Sequence, residues 1–134
     1  MLINWSDGYS VNIKEMDEQH KKLVSLINGF YDALQASMEL DAIPSLLDGV
    51  IDYTKTHFSS EEELMKQHGF PEYEEQKAAH DDFTKKVLDM QKRYKAGEKN
   101  VAGKVALLLS SWLMDHIVMK DKKYGAHLNS RGVT

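Results

Sequence analysis

Cysteine is missing from this 134-residue sequence. Its absence excludes disulfide staples, thiolate metal sites and attached c-type haem, and it is the usage expected of a cytoplasmic protein. Proline is nearly missing, with only Pro44 and Pro71, and valine, isoleucine and threonine form no alternating runs. An all-helical chain is the expectation that remains. Long apolar runs are lacking too. The longest covers residues 105–109, far below the roughly 20 residues of a membrane span, so no membrane partner is expected. The opening Met1-Leu2-Ile3-Asn4-Trp5 has neither the basic start nor the apolar stretch of a secretory leader. No single sign of charge dominates either. The chain carries 17 basic and 21 acidic residues, mixed along its length, for a net charge of −4. That balance offers no basic face to a nucleic acid.

What is present is a set of amphipathic stretches in one expected domain spanning residues 1–134. Residues 1–16 read as an arm, with a turn at Asp7-Gly8 and no helical period. Helices are predicted over about 17–38, 41–67, 72–96 and 101–122. The first carries Leu23, Ile27, Phe30 and Leu34 at the three-four spacing of a bundle seam. The second has Asp41 as a cap and Pro44 in its first turn, ends at Gly69, and has Leu47, Val50, Thr54 and Leu64 on its seam. The third begins after Pro71, stops at Gly97, and has Phe83, Val87, Met90 and Tyr94 inward. The fourth has Val105, Leu108, Trp112 and Met119 inward. Short connections make neighbours antiparallel, so the predicted fold is an up-down-up-down four-helix bundle.

Four of the six histidines fall on those seams. His20 extends the first, His57 and Glu61 continue the second one turn apart, His80 precedes Phe83, and His116 follows Trp112. His20 and His80 lie near the starts of their helices, and His57 and His116 near the ends of theirs. In an antiparallel bundle these places share one end, so the side chains meet in one layer. A single histidine of this kind is ordinarily a hydrogen-bonded core or boundary residue. Four at one depth beside a buried glutamate would leave many polar atoms without partners, each costing about 1–3 kcal/mol. Inward histidines and carboxylates from facing helices are how bundles build dimetal sites. Asp121 is the second carboxylate candidate, but five residues of α-helix turn it about 140° from His116. Spacing leaves it open whether Asp121 is a ligand or a solvated charge among Lys120, Lys122 and Lys123. Imidazole accepts iron, copper, nickel or zinc, and carboxylates shift the preference toward iron and manganese. His68 would lie about 10 Å beyond Glu61 along the axis and His127 beyond the fourth helix, so both read as outside the site. Met16, Met65, Met90, Met114 and Met119 read as core fillers.

These elements resemble the bacterial hemerythrins over nearly the whole chain. Trp5, Tyr9-Ser10-Val11-Asn12-Ile13 and Asp17-Glu18-Gln19-His20 are similar to the family's opening. His57-Phe58-Ser59-Ser60-Glu61 matches its H-x-x-x-E element, Phe70-Pro71 with His80 the third, and His116 through Asp121 the closing H-x-x-x-x-D. The resemblance implies two iron ions with an oxo or hydroxo bridge. His20 and His57 would hold one and His80 and His116 the other, with Glu61 and Asp121 bridging. It implies reversible binding of dioxygen for carriage, storage or sensing. Leu23, Phe58, Trp112, Leu113, Ile117 and Tyr124 match positions around the site. One residue departs from the pattern: Gln76 stands where the family has a ligand histidine. Such a glutamine either ligates weakly or leaves an exchangeable position on the second iron, and the latter would permit a peroxidase- or oxidase-like alternative. No protein partner is implied.

Overall fold

The computed structural model describes residues 2–36 and 42–134, with only the backbone of Ala42 described. The predicted last turn of the first helix, residues 37–38, and the predicted cap Asp41 lie outside the described residues. Four long helices form the frame: α1 (Lys14–Gln35), α2 (Ala42–Gln67), α3 (Tyr73–Lys95) and α4 (Val101–His116). A π-helical turn (Ile117–Asp121) continues α4 into α5 (Lys122–Ser130). The four frame helices pack in a square: α1 touches α2 and α4, and α3 touches α2 and α4. Successive helices are therefore neighbours, and the bundle is up-down-up-down.

Glycines close two of the helices. Gly69 (φ 62°) follows α2 and Gly97 (φ 88°) follows α3, in the left-handed conformation that costs glycine little. Phe70 N–H then donates back to Met65 O at 2.9 Å, and Glu98 N–H to Arg93 O at 3.1 Å. These six-to-one bonds satisfy carbonyls the helix ends would leave bare.

The seams fill the centre. Leu23, Ile27, Phe30, Leu47, Val50, Phe83, Val87, Val105 and Leu109 are all buried. The fourth seam is rotated from the expected one. Its buried line is Val101, Val105, Leu109, Leu113 and Ile117, while Leu108 and Trp112 sit at the boundary. Met119 is 65% exposed and is not a core filler. The π turn explains this, because Met119 lies inside it and is displaced outward from the α-helical register. By length and composition the helical run Val101–Ser130 could cross a membrane, a property hidden from a search for uninterrupted apolar residues. Here its apolar line is the bundle's own core side.

The N-terminal arm is shorter than predicted, since α1 begins at Lys14. The arm is tied down at several points. Asn28 exchanges two hydrogen bonds of 2.8 Å with the backbone of Ile3, and Asp17 accepts from Val11 N–H at 2.8 Å and from the Ser10 hydroxyl. Val11 then passes so close to α5 that a Cβ on Gly125 would sit 2.4 Å from its carbonyl oxygen.

Candidate metal centre

At the end of the bundle where α1 and α3 begin, four imidazoles and two carboxylates converge. His20 (α1), His57 and Glu61 (α2), His80 (α3), His116 (α4) and Asp121 (the π turn) are all buried, with Glu61 at 0% and Asp121 at 1% exposure. They form two triads that could each hold a metal ion, His20–His57–Glu61 and His80–His116–Asp121, with the donor atoms of each within 4.8 Å of one another.

The carboxylates knit the triads together. One Glu61 oxygen lies 3.1 Å from His57 Nε2 and 3.6 Å from His80 Nε2, and the other lies 3.4 Å from His20 Nε2. Asp121 reaches His20 Nε2 at 3.3 Å with one oxygen and His116 Nε2 at 3.2 Å with the other. Each carboxylate thus spans both triads. Asp121 manages this because of the π turn. Lys122 N–H donates to Ile117 O, five residues back. Widening the turn by one residue brings a side chain five positions on toward the face it would miss in an α-helix. The expected 140° offset is removed by the backbone.

The ring orientations are set from outside. His57 Nδ1 meets Gln19 Oε1 at 2.7 Å, and His80 Nδ1 meets Glu62 Oε2 at 2.9 Å. Such outer partners fix the tautomer and aim the opposite nitrogen inward. Aromatic faces hold the second triad. Phe58 stacks on His80 at 3.9 Å, and Trp112 on His116 at 4.3 Å. Gln19 and Glu62 were not anticipated. Each sits beside a ligand candidate on a position that reads as solvent-facing, and nothing in the sequence spacing singles them out.

The electrostatics call for positive charge between the carboxylates. Burial opposes a charge on His20, but the Asp121 and Glu61 carboxylates, 3.3 and 3.4 Å from its Nε2, outweigh it and raise its pKa to about 10. Burial likewise opposes ionisation of Glu61, yet His57 and His20 hold its carboxyl well below the usual range. Ionisation of Asp121 is opposed by burial and by the Glu61 charge, and the neighbouring His116 and His20 rings still hold its carboxyl low. The Tyr124 hydroxyl donates to Glu61, and burial followed by the two carboxylate charges pushes its pKa well up. Among the described residues, His20 Nε2, His57 Nε2, Glu61 Oε1 and Asp121 Oδ2 are buried without hydrogen-bond partners and all face this centre. Unspent donor atoms of hard oxygen and imidazole nitrogen, around a space that favours positive charge, fit a pair of divalent or trivalent ions such as iron.

A cavity of about 10 Å³ lies on the core side of the ligand layer, lined by Leu23, Ile27, Thr54, Phe58, Phe83, Leu109, Trp112 and Leu113. Four of the expected pocket residues are there. Ile117 and Tyr124 are fully buried but lie elsewhere, Tyr124 against the Glu61 carboxylate. The one hydroxyl lining the cavity, that of Thr54, donates to Val50 O at 2.7 Å. Gln76 is buried one turn before His80 and donates to Asp121 Oδ1 at 3.3 Å. His68 is outside both triads. His127 is not a surface residue beyond the helices. It lies on α5, half-buried, with Nε2 2.8 Å from the His68 carbonyl and its ring on Phe70. The helical run, continuing through the π turn to Ser130, carries it there.

A four-helix bundle that closes on two linked histidine–carboxylate triads defines a non-haem metal-binding protein. Comparison with known proteins narrows the class. Residues 11–128 match the Hemerythrin HHE cation binding domain. The chain is 36% identical over 132 residues to a bacteriohemerythrin of Stenotrophomonas maltophilia (strain R551-3), covering 96% of this chain and 85% of that protein. It is 33% identical over 130 residues to the bacteriohemerythrin of Methylococcus capsulatus (strain Bath), covering 96% and 98%. A crystal structure of wild-type hemerythrin superposes with a TM-score of 0.87 at 33% identity, covering 96% of this chain and 98% of that one. The chain belongs to the hemerythrin family.

Proposed function

We propose that this protein binds dioxygen reversibly at a pair of non-haem irons. His20 and His57 would hold one ion and His80 and His116 the other, with Glu61 and Asp121 shared between them. The observation that carries this reading is the double span of the two carboxylates, Glu61 facing His20, His57 and His80 and Asp121 facing His20 and His116. When bound, the iron pair supplies two electrons and a coordination position to dioxygen.

The residues of the chain do the rest. The core-side cavity admits a small apolar molecule to the ligand layer, with Leu23 one turn past His20 and with Phe58 and Trp112 stacked on His80 and His116. Its surface is almost entirely hydrocarbon and the Thr54 hydroxyl is already bonded, so it disfavours water and protects reduced metal from proton-assisted oxidation. Gln19 and Glu62 hold the imidazoles of His57 and His80 in one tautomer. Tyr124 donates to Glu61 and steadies the bridging carboxylate from the side away from the cavity. The test is metal analysis followed by cycles of oxygen and argon over the reduced protein. Two irons per chain and an absorption change that reverses over several cycles are expected. Well under one iron per chain, or one irreversible change accompanied by turnover of a reductant with peroxide, overturns the reading.

A further inference from the structure

The side chain left over after six donors are assigned is Gln76. It is 3% exposed, in α3 one turn before His80, so both residues share the face turned to the second triad. One N–H of its amide goes to Asp121 Oδ1 at 3.3 Å, while Oε1 is buried with no partner. A carboxamide has two donors and one acceptor, so one donor and the acceptor remain unspent beside His80 and His116. The protein thus gives each ion the same set, two imidazoles and a share of two carboxylates, and the second ion has no more protein donors than the first.

On the outer side of Gln76, toward the bundle end, lies a second cleft of about 10 Å³, lined by Phe70, Glu72, Glu75, Gln76, Lys120 and Lys123. It is on the opposite side of the ligand layer from the apolar cavity. That cavity's residues Thr54, Phe83 and Leu109 lie toward the bundle interior, whereas Phe70, Glu72 and Lys123 lie toward the α2–α3 turn and α5. Charged side chains rim the cleft, while the surface they turn into it is mainly carbon. Glu72 is paired with Lys123 at 4.0 Å, which leaves Lys120 and Glu75 as its other charges. The volume suits one water or the coordinating end of a small anion.

We propose that the ion held by His80, His116 and Asp121 carries its own exchangeable position, reached through this cleft and suited to a small inorganic anion that Gln76 hydrogen-bonds. The proposal rests on the dimetal reading above. Gln76 stays on Asp121 as a donor and does not ligate. The two ions then take exogenous ligands from opposite sides of the layer, an apolar diatomic from the core and an anion from the solvent end.

The experiment is azide titration of the fully oxidised, iron-loaded protein, followed by calorimetry and absorption, with iron measured on the same samples. The wild-type chain is expected to hold two irons and bind two azides. Gln76→His and the isosteric Gln76→Glu each supply a protein ligand and are expected to hold two irons and bind one azide. Two irons with a single azide in the wild type, or two azides in both variants, overturns the proposal while leaving the dimetal reading intact. Fewer than two irons in the wild type removes that reading, and the proposal with it.

Discussion

The two proposed ion sites have the same kinds of inner donor but differ in what stands behind them. His57 is backed by the neutral amide of Gln19, and His80 by the carboxylate of Glu62. Glu62 is 17% exposed and its other oxygen is 3.6 Å from Lys77 Nζ, so the carboxylate is partly sheltered. A carboxylate behind a ligand imidazole increases its basicity as well as fixing its orientation, and losing such a partner ordinarily costs 10- to 100-fold in metal affinity, or about 1.4–2.8 kcal/mol. Glu62→Gln makes the second site resemble the first and should fall near the tenfold end. Glu62→Ala leaves the His80 Nδ1 proton without its partner and should fall near the hundredfold end. The loss should be confined to one ion, because Glu62 makes no contact with His20 or His57. Competition of anaerobic ferrous or zinc-loaded protein against a chelator reads this as one tight and one weakened step. Gln19→Ala should weaken the other step. Equal weakening of both ions by Glu62→Ala, or no weakening, would refute the assignment of Glu62 to the His80 ion.

Other expectations follow from the same geometry. Gly125→Ala puts a Cβ 2.4 Å from Val11 O and 3.1 Å from Val11 Cβ on an arm tied by Asp17 and Asn28, so a cost of about 1–3 kcal/mol and a thermal midpoint lower by roughly 5 °C or more are expected; an unchanged midpoint contradicts that close approach. Below pH 10 the metal-free centre holds a proton on His20, whose pKa is raised to about 10. Metal must displace that proton, so apparent metal affinity rises with pH through the neutral range. At least one proton per chain should appear in a weakly buffered indicator solution on loading, and none released counts against it. Deleting Met119, which is exposed and inside the π turn, leaves His116 and Asp121 four apart in a plain α-helix. Two bound ions and an undiminished thermal midpoint are expected, and loss of one ion speaks against the π turn as a single inserted residue.

The fold and five of the six candidate donors could be read from spacing because helical periodicity is a local property. Leu23, Ile27 and Phe30 fix which face of α1 is inside, and His20 shares that face without any knowledge of its partners. Chain direction then supplies depth. His20 and His80 near helix starts, and His57 and His116 near helix ends, meet at one end of an antiparallel bundle. Outer contacts are different in kind. Gln19 and Glu62 occupy positions next to inward residues, and what they touch lies on another helix: Gln19 on α1 meets His57 on α2, and Glu62 on α2 meets His80 on α3. Such cross-helix contacts depend on rotamer and interhelical offset, to which a periodic pattern is blind. The same holds for Tyr124, which spacing places past the predicted end of the fourth helix but which donates to Glu61 from α5.

Asp121 is the candidate donor that spacing left open, and the reason is specific. Projection onto an α-helix assumes about 100° per residue, and the chain abandons that value at Ile117–Asp121. A π turn weakens local backbone hydrogen bonding and persists where something else compensates. Here the compensation is visible, since the extra residue turns Asp121 inward to lie between His20 and His116 and leaves Val118 and Met119 bulged toward solvent at 45% and 65% exposure. Two medium-sized apolar side chains are left in water while a carboxylate is taken out of it. Apolar burial alone would choose the opposite arrangement. The local backbone is therefore organised around the charge of the centre rather than around the core. For that reason the irregular turn, more than any single histidine, marks this end of the bundle as built for cations.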